Sequence, residues 1–450
     1  MIKGKYPIIF LGLGIGTVSY FLSGAAFLFL VFGIVSYFIY NASPAEDRRF
    51  ILTVLIIGFL IRIFLAVLAH ALNYLDGYHG ISGDDLLYTV KSWALVYKWK
   101  GLPYNWVNDL SGSSPKFGLN PFTWILALFY KGFGFHPVVS KFINCIIGSV
   151  IGWLSYLIAR ELFDRRAGKV SMLIVTFYPS LIRWSIANLK DSFAIMLFMV
   201  CIYISIAVIY RRVRGWKLLA LAVSMVLICN FAQILYFILI SISSSLAVFF
   251  RILNFAGNRA LKTSALVMGV IGFLAVFYYF FYVNTGPVVK YLYRFEEQQA
   301  VVAKSDYAGY YLYSRDYMDD LNRQKVSLSG LAEMAFRNVS YFMLTPFPWQ
   351  MNSSERMLAF PQMVLWYILL VLSFFGFIKL VVKRFEAAFM IGVVLSLGIL
   401  VCSLAEGNVG AAFRHRDIFT PLVIILASTV AHDMFFRREK NDIYRERGMA

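Results

Sequence analysis

Apolar runs of membrane-spanning length recur along this chain of 450 residues. A helix needs about 20 consecutive apolar residues to cross the hydrocarbon core of a bilayer. The backbone polar groups in lipid must also be hydrogen-bonded internally, so continuous apolar runs of this length indicate helices. The composition agrees, since 60% of the residues are hydrophobic and 15% are charged, outside the range of soluble domains. The sequence therefore predicts an all-α polytopic membrane protein with about 12 spans, among them 6–22, 170–187 and 263–283. An inner connector is expected at 251–262 and an outer loop at 406–417.

Positive charge is concentrated in alternate connectors between these runs. The net charge is +18, and basic clusters occur at Arg48–Arg49, at 160–166 and at 211–214. Cytoplasmic loops of membrane proteins carry an excess of Lys and Arg. The pattern predicts a multi-pass protein of the plasma (inner) membrane with both termini in the cytoplasm. The remaining cations are expected to meet membrane lipids, and no nucleic acid is expected as a partner.

Two long segments are expected outside the membrane, at 73–136 and 284–358. The first contains two predicted interfacial helices, one over 84–99 and one beginning at Asn120-Pro121. The predicted organisation is an N-terminal hairpin with its inner connector at 1–49, a transmembrane core at 50–283 that includes the loop 73–136, an extracytoplasmic cap loop at 284–358, C-terminal transmembrane helices at 359–436 and a cytoplasmic tail at 437–450.

The pair Asp84-Asp85 is the leading catalytic candidate, because its two carboxylates follow an apolar run in a chain whose spans otherwise exclude acids. A carboxylate serves as a general base when the proton of an acceptor hydroxyl lies within hydrogen-bond reach. Adjacent residues on a helix point in different directions, so one acid can act as the base while the other orients a partner. Capping of a helix at a wet interface is an equally weighted alternative.

A basic cluster near the C-terminus provides a second candidate site. Arg414, His415 and Arg416 lie in a predicted outer loop, and guanidinium groups bind phosphate oxygens in a bidentate manner. Snorkelling of these arginines to lipid headgroups is the alternative. Lys190 and Asp191, between two predicted spans, form a third candidate, with a simple Lys–Asp pair as the alternative.

No metal site is predicted, and no cofactor is certain. The histidines are scattered without metal-ligand spacing, and the four cysteines lie in apolar segments. A divalent cation held by Asp84 and Asp85 remains possible.

Several segments resemble the GT-C superfamily of membrane glycosyltransferases, in the branch of the protein O-mannosyltransferases and the aminoarabinose transferase of lipid A. That family carries an acidic D-E-x-x-Y-like pattern in its first outer loop, and here the second acid is Asp85 instead of Glu. The N-terminal hairpin is extra to the family pattern. The segments that carry the likeness are Asp84-Asp85-Leu86-Leu87-Tyr88, Asn120–Trp124, Ala159–Gly168, Phe177–Ser180 and Phe413–Arg416 followed by Pro421.

The resemblance implies a GT-C-like helical bundle and an inverting transfer of sugar from a polyprenyl-phosphate donor at the outer face. The acceptor would be a hydroxyl-bearing glycan, lipid or protein. Asp84 would deprotonate that hydroxyl, while Arg414 and Arg416, with His415 and Lys190 beside them, would bind the lipid phosphate. Tyr88 and Asp191 would lie near the sugar or the acceptor.

Three other functions remain open. A repeat-unit polymerase or ligase using a lipid pyrophosphate would also need outer arginines, although not the early acid pair. A lipid or polysaccharide transporter would commonly show internal repeats, and none is seen in this sequence. A non-catalytic relative of these enzymes is the third alternative.

Overall fold

In a computed structural model, the described residues form helices joined by short connectors, and they contain no strand. They are residues 23–75, 83–102, 120–210, 215–231, 234–255, 328–350, 360–405 and 409–431. The helices are, in order, α1 Ser23–Ala42, α2 Arg48–Leu75, α3 Gly83–Trp99, α4 Pro121–Phe133, α5 Pro137–Leu162, α6 Arg165–Phe177, α7 Pro179–Ser185, α8 Asp191–Tyr210, α9 Gly215–Phe231, α10 Ile234–Phe255, α11 Leu328–Leu344, α12 Phe360–Lys383, α13 Phe385–Ala405, α14 Val409–Arg416 and α15 Thr420–Ala431. Short 3₁₀ turns occupy Ala45–Asp47 and Pro348–Gln350.

Six of the described helices are long and apolar enough to cross a membrane: Ser23–Ala42, Ala45–Leu72, Pro137–Leu162, Asp191–Tyr210, Phe360–Lys383 and Phe385–Leu404. This finding confirms the predicted multi-pass helical architecture. The total of about 12 spans stays a prediction, and the spans expected at 6–22 and 263–283 lie outside the described residues. Most of the predicted cap loop 284–358 also lies outside them, apart from α11 and the turn that follows it.

Three details differ from the sequence-based prediction. The span expected over 170–187 is two helices, α6 and α7, because Pro179 lacks the N–H that a continuous helix needs. The outer loop expected at 406–417 contains a helix, α14. The inner connector expected at 251–262 begins inside α10, which continues to Phe255.

The chain divides into two compact units. The first comprises Met1–Glu161, Arg165–Val200 and Val223–Ile234, and the second comprises Leu162–Asp164, Cys201–Ala222 and Leu235–Ala450.

In the first unit, the two predicted interfacial helices α3 and α4 pack on each other. Asn120 caps α4 by accepting a hydrogen bond from the Phe122 amide at 3.0 Å, and Gly134 ends the helix with a positive φ of 86°. The ring of Tyr88 on α3 meets that of Phe122 edge-on at 5.4 Å. An Asn-Pro start and a Gly end are readable from sequence, which explains why the boundaries of α4 were predicted well.

The starts of α2 and α6 are joined by a buried carboxylate, Asp47, which is fully shielded from solvent. It accepts a hydrogen bond from the Tyr156 hydroxyl at 2.8 Å and pairs with Arg165 and Lys169, each at 2.8 Å. The neighbouring Glu46 pairs with Arg160 at 3.1 Å. This Asp47 cluster fixes one end of the first unit.

In the second unit, α12 and α15 pack at very close range. A Cβ atom added at Gly376 would collide with the Leu426 carbonyl. Close backbone approach at a small residue is the usual means of packing helices in membranes.

Candidate active site

Asp85 is the buried member of the acid pair. Its Oδ2 lies 3.0 Å from Lys141 Nζ on α5, and neither side chain is exposed to solvent. Its Oδ1 accepts a hydrogen bond of 2.8 Å from the backbone amide of Asn188. A buried carboxylate requires this kind of pairing, because removing an unpaired charge from water costs several kcal/mol or more.

Asn188 extends this ion pair into a network that joins three helices. Its side-chain amide donates to Thr89 Oγ1 on α3 at 2.9 Å and to Ser140 Oγ on α5 at 3.0 Å. Ser140 in turn lies 2.9 Å from the hydroxyl of Tyr130 on α4. Residues 186–190, which connect α7 to α8, are therefore tied to all three helices by side chains that water does not reach.

The same connector, here called the 186–190 loop, is held a second time by Asn144. The Asn144 side-chain amide donates to the carbonyls of Ala187 at 2.6 Å and Leu189 at 2.8 Å. Buried backbone carbonyls need such partners. The loop is consequently fixed by side chains on both sides of Asn188.

Asp84 immediately precedes Asp85 in the first turn of α3 and is half-buried. Because Asp85 is fixed by Lys141 and Asn188, the backbone that carries Asp84 is fixed as well. Lys91, two turns further along α3, is close enough to interact with Asp84. Burial lowers the pKa of Lys91 below its usual value, and the negative charge of Asp84 opposes that lowering.

The remaining candidates in the first unit differ in exposure. Lys190 and Asp191 are half-buried at the start of α8, where the Lys190 carbonyl accepts a hydrogen bond from the Ala194 amide at 3.1 Å. Tyr88 is 4% exposed and packs against Phe122. In this structure Tyr88 therefore contributes to the contact between α3 and α4.

The basic cluster lies in the second unit, on α14. Arg416 is 1% exposed, and its Nη1 donates to the carbonyls of Met343 at 2.9 Å and Thr345 at 2.8 Å. Its guanidinium also lies 4.8 Å from the centre of the Trp366 ring. Arg416 thus caps the C-terminal end of α11, where the last carbonyls of a helix need donors and favour a cation.

Arg414 and His415 are half-buried beside Arg416 on α14. The two arginines are equivalent in the sequence, whereas in the structure Arg416 is buried and Arg414 is half-buried. The phosphate role predicted for Arg414, His415 and Arg416 stays a prediction.

Lys141, Asn188, Thr89 and Ser140 were not singled out from the sequence. A lysine within an apolar run is itself a signal, since ionisable residues in membrane spans are costly and are commonly retained for a function. Lys141 carries that signal near the start of a predicted span, but it was not among the predicted site residues. The polar residues Asn188, Thr89 and Ser140 gave no distinctive signal.

Within the described ranges, no group of three or more His, Cys, Asp or Glu side chains is placed to hold a metal ion. Both carboxylate oxygens of Asp85 are already engaged by Lys141 and Asn188.

Comparison with known proteins gives two matches. A protein-family model described as dolichyl-phosphate-mannose-protein mannosyltransferase matches residues 121–282. Among solved structures, the archaeal oligosaccharyltransferase AglB from Archaeoglobus fulgidus, in complex with an inhibitory peptide and a dolichol-phosphate, is similar with a TM-score of 0.50 and 11% sequence identity. The alignment covers 88% of this chain and 52% of that chain, so this chain spans about half the length of the oligosaccharyltransferase. No curated protein sequence matches the chain.

Both matches agree with the resemblance to the GT-C membrane glycosyltransferases that the sequence predicted, and at 11% identity the likeness to the solved structure is one of fold. The family match begins at the first residue of α4. It therefore includes Lys141, Asn188 and Lys190, and it does not include Asp84, Asp85 or the α14 cluster.

Proposed function

We propose that this protein is an inverting glycosyltransferase that moves a sugar from a polyprenyl-phosphate donor to a hydroxyl acceptor at the extracytoplasmic face of the membrane. The observation that carries the proposal is the difference in burial between the two carboxylates of the acid pair. Asp85 is committed to a buried ion pair with Lys141, while Asp84 is half-buried on the same rigid helix start. A fixed carboxylate with access to solvent is what a general base requires.

In the proposed reaction, a carboxylate oxygen of Asp84 accepts the proton of the acceptor hydroxyl. The hydroxyl oxygen attacks the anomeric carbon from the face opposite to the phosphate, and the bond between that carbon and the phosphate oxygen breaks. The electron pair leaves with the lipid phosphate, so the configuration of the sugar is inverted. Positive charge develops on the sugar and negative charge on the phosphate, and groups that stabilise both charges lower the barrier.

The proposed phosphate ligands are Arg414, His415 and Lys190. The capping role of Arg416 makes Arg414 the leading arginine. Each of these residues is proposed from its own surroundings, Lys190 from the first unit and Arg414 and His415 from the second. Guanidinium and ammonium groups both bind phosphate, the first in a bidentate manner and the second as a point charge.

The extracytoplasmic placement of Asp84 is supported by the distribution of charge in the first unit. If α2 spans the membrane, its two ends lie at opposite faces. Arg48 stands at its start, near Arg160 and Arg165 of the Asp47 cluster. His70, near its other end, is close enough to Asp85 and Lys141 to interact with both electrostatically. The positive-inside rule then places the Asp47 cluster inside and Asp84 outside.

The lipid-linked donor is supported by the two matches. The matching family model is named for a dolichyl-phosphate-mannose-dependent enzyme, and the similar solved structure holds a dolichol-phosphate and a peptide. For this chain the proposed donor is accordingly a polyprenyl-phosphate-linked sugar, and the acceptor is a hydroxyl-bearing glycan, lipid or protein.

The test is sugar transfer by the purified protein in lipid nanodiscs. The donor panel holds polyprenyl-phosphate monosaccharides, polyprenyl-pyrophosphate oligosaccharides and nucleotide sugars, and the product configuration is read by NMR. The proposal expects transfer from a phosphate-linked monosaccharide with inversion. Transfer from pyrophosphate donors alone would favour the polymerase or ligase, and movement of a lipid-linked glycan across sealed vesicles without transfer would favour the transporter. Repeating the assay in EDTA tests whether a divalent cation takes part.

A further inference from the structure

Arg62 is a fully buried arginine near the middle of α2, a helix apolar enough to cross the membrane. Its Nε donates to Ser185 Oγ at 2.9 Å, and its Nη1 donates to the Gly58 carbonyl at 3.0 Å. Within the described residues, its Nη2 has no hydrogen-bond partner and no carboxylate forms an ion pair with its guanidinium. An arginine at such a depth has a high free-energy cost, and such residues commonly serve a function.

The contact with Ser185 links Arg62 directly to the 186–190 loop. Ser185 is the last residue of α7 and immediately precedes the loop. Its hydroxyl donates to the Ile182 carbonyl at 2.8 Å and accepts from Arg62, so it serves as both a donor and an acceptor. Its carbonyl accepts a hydrogen bond from Cys145 Sγ at 3.4 Å. The start of the loop is therefore held to α2 by a charged donor and to α5 by a thiol.

Space for this contact depends on the absence of a side chain at Gly148 on α5. A Cβ atom at this position would lie 2.7 Å from Arg62 Nε and 2.6 Å from the Ser185 Cβ. Real Cβ contacts of that length do not occur without movement of a neighbour. The helices are thus spaced so that a guanidinium and a serine meet where any larger residue on α5 would separate them.

We propose that Arg62 is a positioning residue for the candidate base, which it reaches through the 186–190 loop. The proposal rests on the proposed function for its catalytic consequence, although not for its structural one. Arg62 holds Ser185, Ser185 sets the start of the loop, and the loop presents the Asn188 amide to Asp85. Asp85 then fixes the first turn of α3, and with it Asp84. Displacement of a reacting group by about 1 Å through a remote change can cost about 100-fold in rate.

The structural part is tested by thiol labelling. Ala187→Cys places a cysteine in the loop at a site with no exposure, and Ala159→Cys places one at an equally buried site on α5 away from the loop. The labelling of each cysteine variant is measured beside that of the otherwise identical protein without the engineered cysteine. With Arg62→Met we expect labelling at 187 to be about tenfold faster, as local opening of the loop would produce, and labelling at 159 to be unchanged. Equal rates at 187 with and without Arg62 would overturn the proposal, and so would the same acceleration at both sites.

The catalytic part is tested by the kinetics of sugar transfer. Arg62→Met is expected to lower kcat about 100-fold and to leave the KM for the donor nearly unchanged, with Arg62→Lys falling between it and the unchanged chain. A large change in KM with an unchanged kcat would contradict the positioning role. If no chain transfers sugar while labelling at 187 still responds to Arg62→Met, the proposed function fails and the structural link stands.

Gly148→Ala provides an independent variant that keeps the charge of Arg62. Its added methyl group should displace the guanidinium from Ser185, so it is expected to accelerate labelling at 187 in the same direction as Arg62→Met. Ser149→Ala is the matched control on α5, because its hydroxyl bonds only to the Cys145 carbonyl of its own helix. If Gly148→Ala labels at the rate of this control, the contact between Arg62 and Ser185 does not hold the loop.

Discussion

Two acid pairs in the first unit, Glu46-Asp47 and Asp84-Asp85, stand at the starts of helices, and each buries its second carboxylate completely. At Glu46-Asp47 the cations serve both acids, since Arg165 lies 2.8 Å from Asp47 and 3.8 Å from Glu46. At Asp84-Asp85 the buried cation is Lys141, which pairs with Asp85. An acid pair at a helix start is therefore first of all a folding device. What distinguishes Asp84-Asp85 is a lysine shielded from solvent that pairs with the second carboxylate.

The solvent around the cations also differs between the two pairs. The side chains of Arg165 and Lys169 are 46% and 33% exposed, whereas that of Lys141 is not exposed at all. Water can compensate a cation that loses its partner at a half-exposed site, but not at a buried one. The comparison predicts that removing a charged partner will cost much more stability at Asp84-Asp85 than at Glu46-Asp47.

Removal of the buried cation should have the largest effect on stability. Lys141→Met leaves the buried carboxyl of Asp85 without its cation, so we expect the free energy of unfolding to fall by about 3–5 kcal/mol. Thermal unfolding in detergent measures the loss. Lys131→Met, at an exposed lysine on α4, is the control and should change stability by less than about 0.5 kcal/mol. An unfolding temperature for Lys141→Met equal to that of this control would show that the ion pair does not hold α3.

The two arginines of α14 should show the same contrast in the second unit. Arg416→Met removes two hydrogen bonds to the carbonyls that end α11, and we expect a loss of about 2–3 kcal/mol. Arg414→Met, at a half-buried site, should cost less stability than Arg416→Met and should weaken donor binding about tenfold, as the loss of one charge-assisted phosphate contact would. Titration of a polyprenyl-phosphate against both variants separates these effects. Equal weakening of binding in the two variants would contradict the division between a capping and a binding arginine.

At Glu46-Asp47, the substitution Asp47→Asn should have a smaller effect on stability than Lys141→Met. The amide keeps an acceptor for Tyr156, and water reaches Arg165 and Lys169, so we expect a loss of about 1–2 kcal/mol. Unfolding measured beside Lys141→Met gives the ranking directly. A loss at Asp47 as large as the loss at Lys141 would remove the distinction drawn from solvent exposure.

The smallest effect on stability is expected at Asp84. Asparagine has the size of aspartate and keeps a side-chain oxygen at this half-buried site, so Asp84→Asn should change the free energy of unfolding by less than about 0.5 kcal/mol. The same unfolding assay measures this change. A loss of several kcal/mol would place Asp84 in the structural network with Asp85 and would weaken its assignment as the base.

The sequence predicted the helices well wherever local signals mark their ends. Asn120-Pro121 and Gly134 bound α4, and the predicted helix over 84–99 agrees with α3 within one residue. The break at Pro179 was not predicted, because the surrounding apolar run has the length of one span.

The difference in burial between Asp84 and Asp85 could not be predicted from the sequence. Adjacent residues differ by about 100° around a helix, and which of them faces the core depends on the surrounding packing. That packing is set by Lys141 and Asn188, which lie 56 and 103 residues along the chain from Asp85. Arg416 presents the same difficulty, since the carbonyls that accept its hydrogen bonds lie 73 and 71 residues away along the chain. Local pattern identifies such residues as polar and unusual, while their roles come from distant contacts.

The central claim, that Asp84 is the general base, is tested most directly by single-turnover sugar transfer with Asp84→Asn. Glu46→Gln, which changes the first acid of the Glu46-Asp47 pair, is the matched control. We expect Asp84→Asn to lower the rate by about 10²–10⁴-fold with donor binding retained, and Glu46→Gln to transfer at the rate of the unchanged protein. Transfer by Asp84→Asn at the unchanged rate would contradict the claim and would leave both acid pairs with structural roles alone.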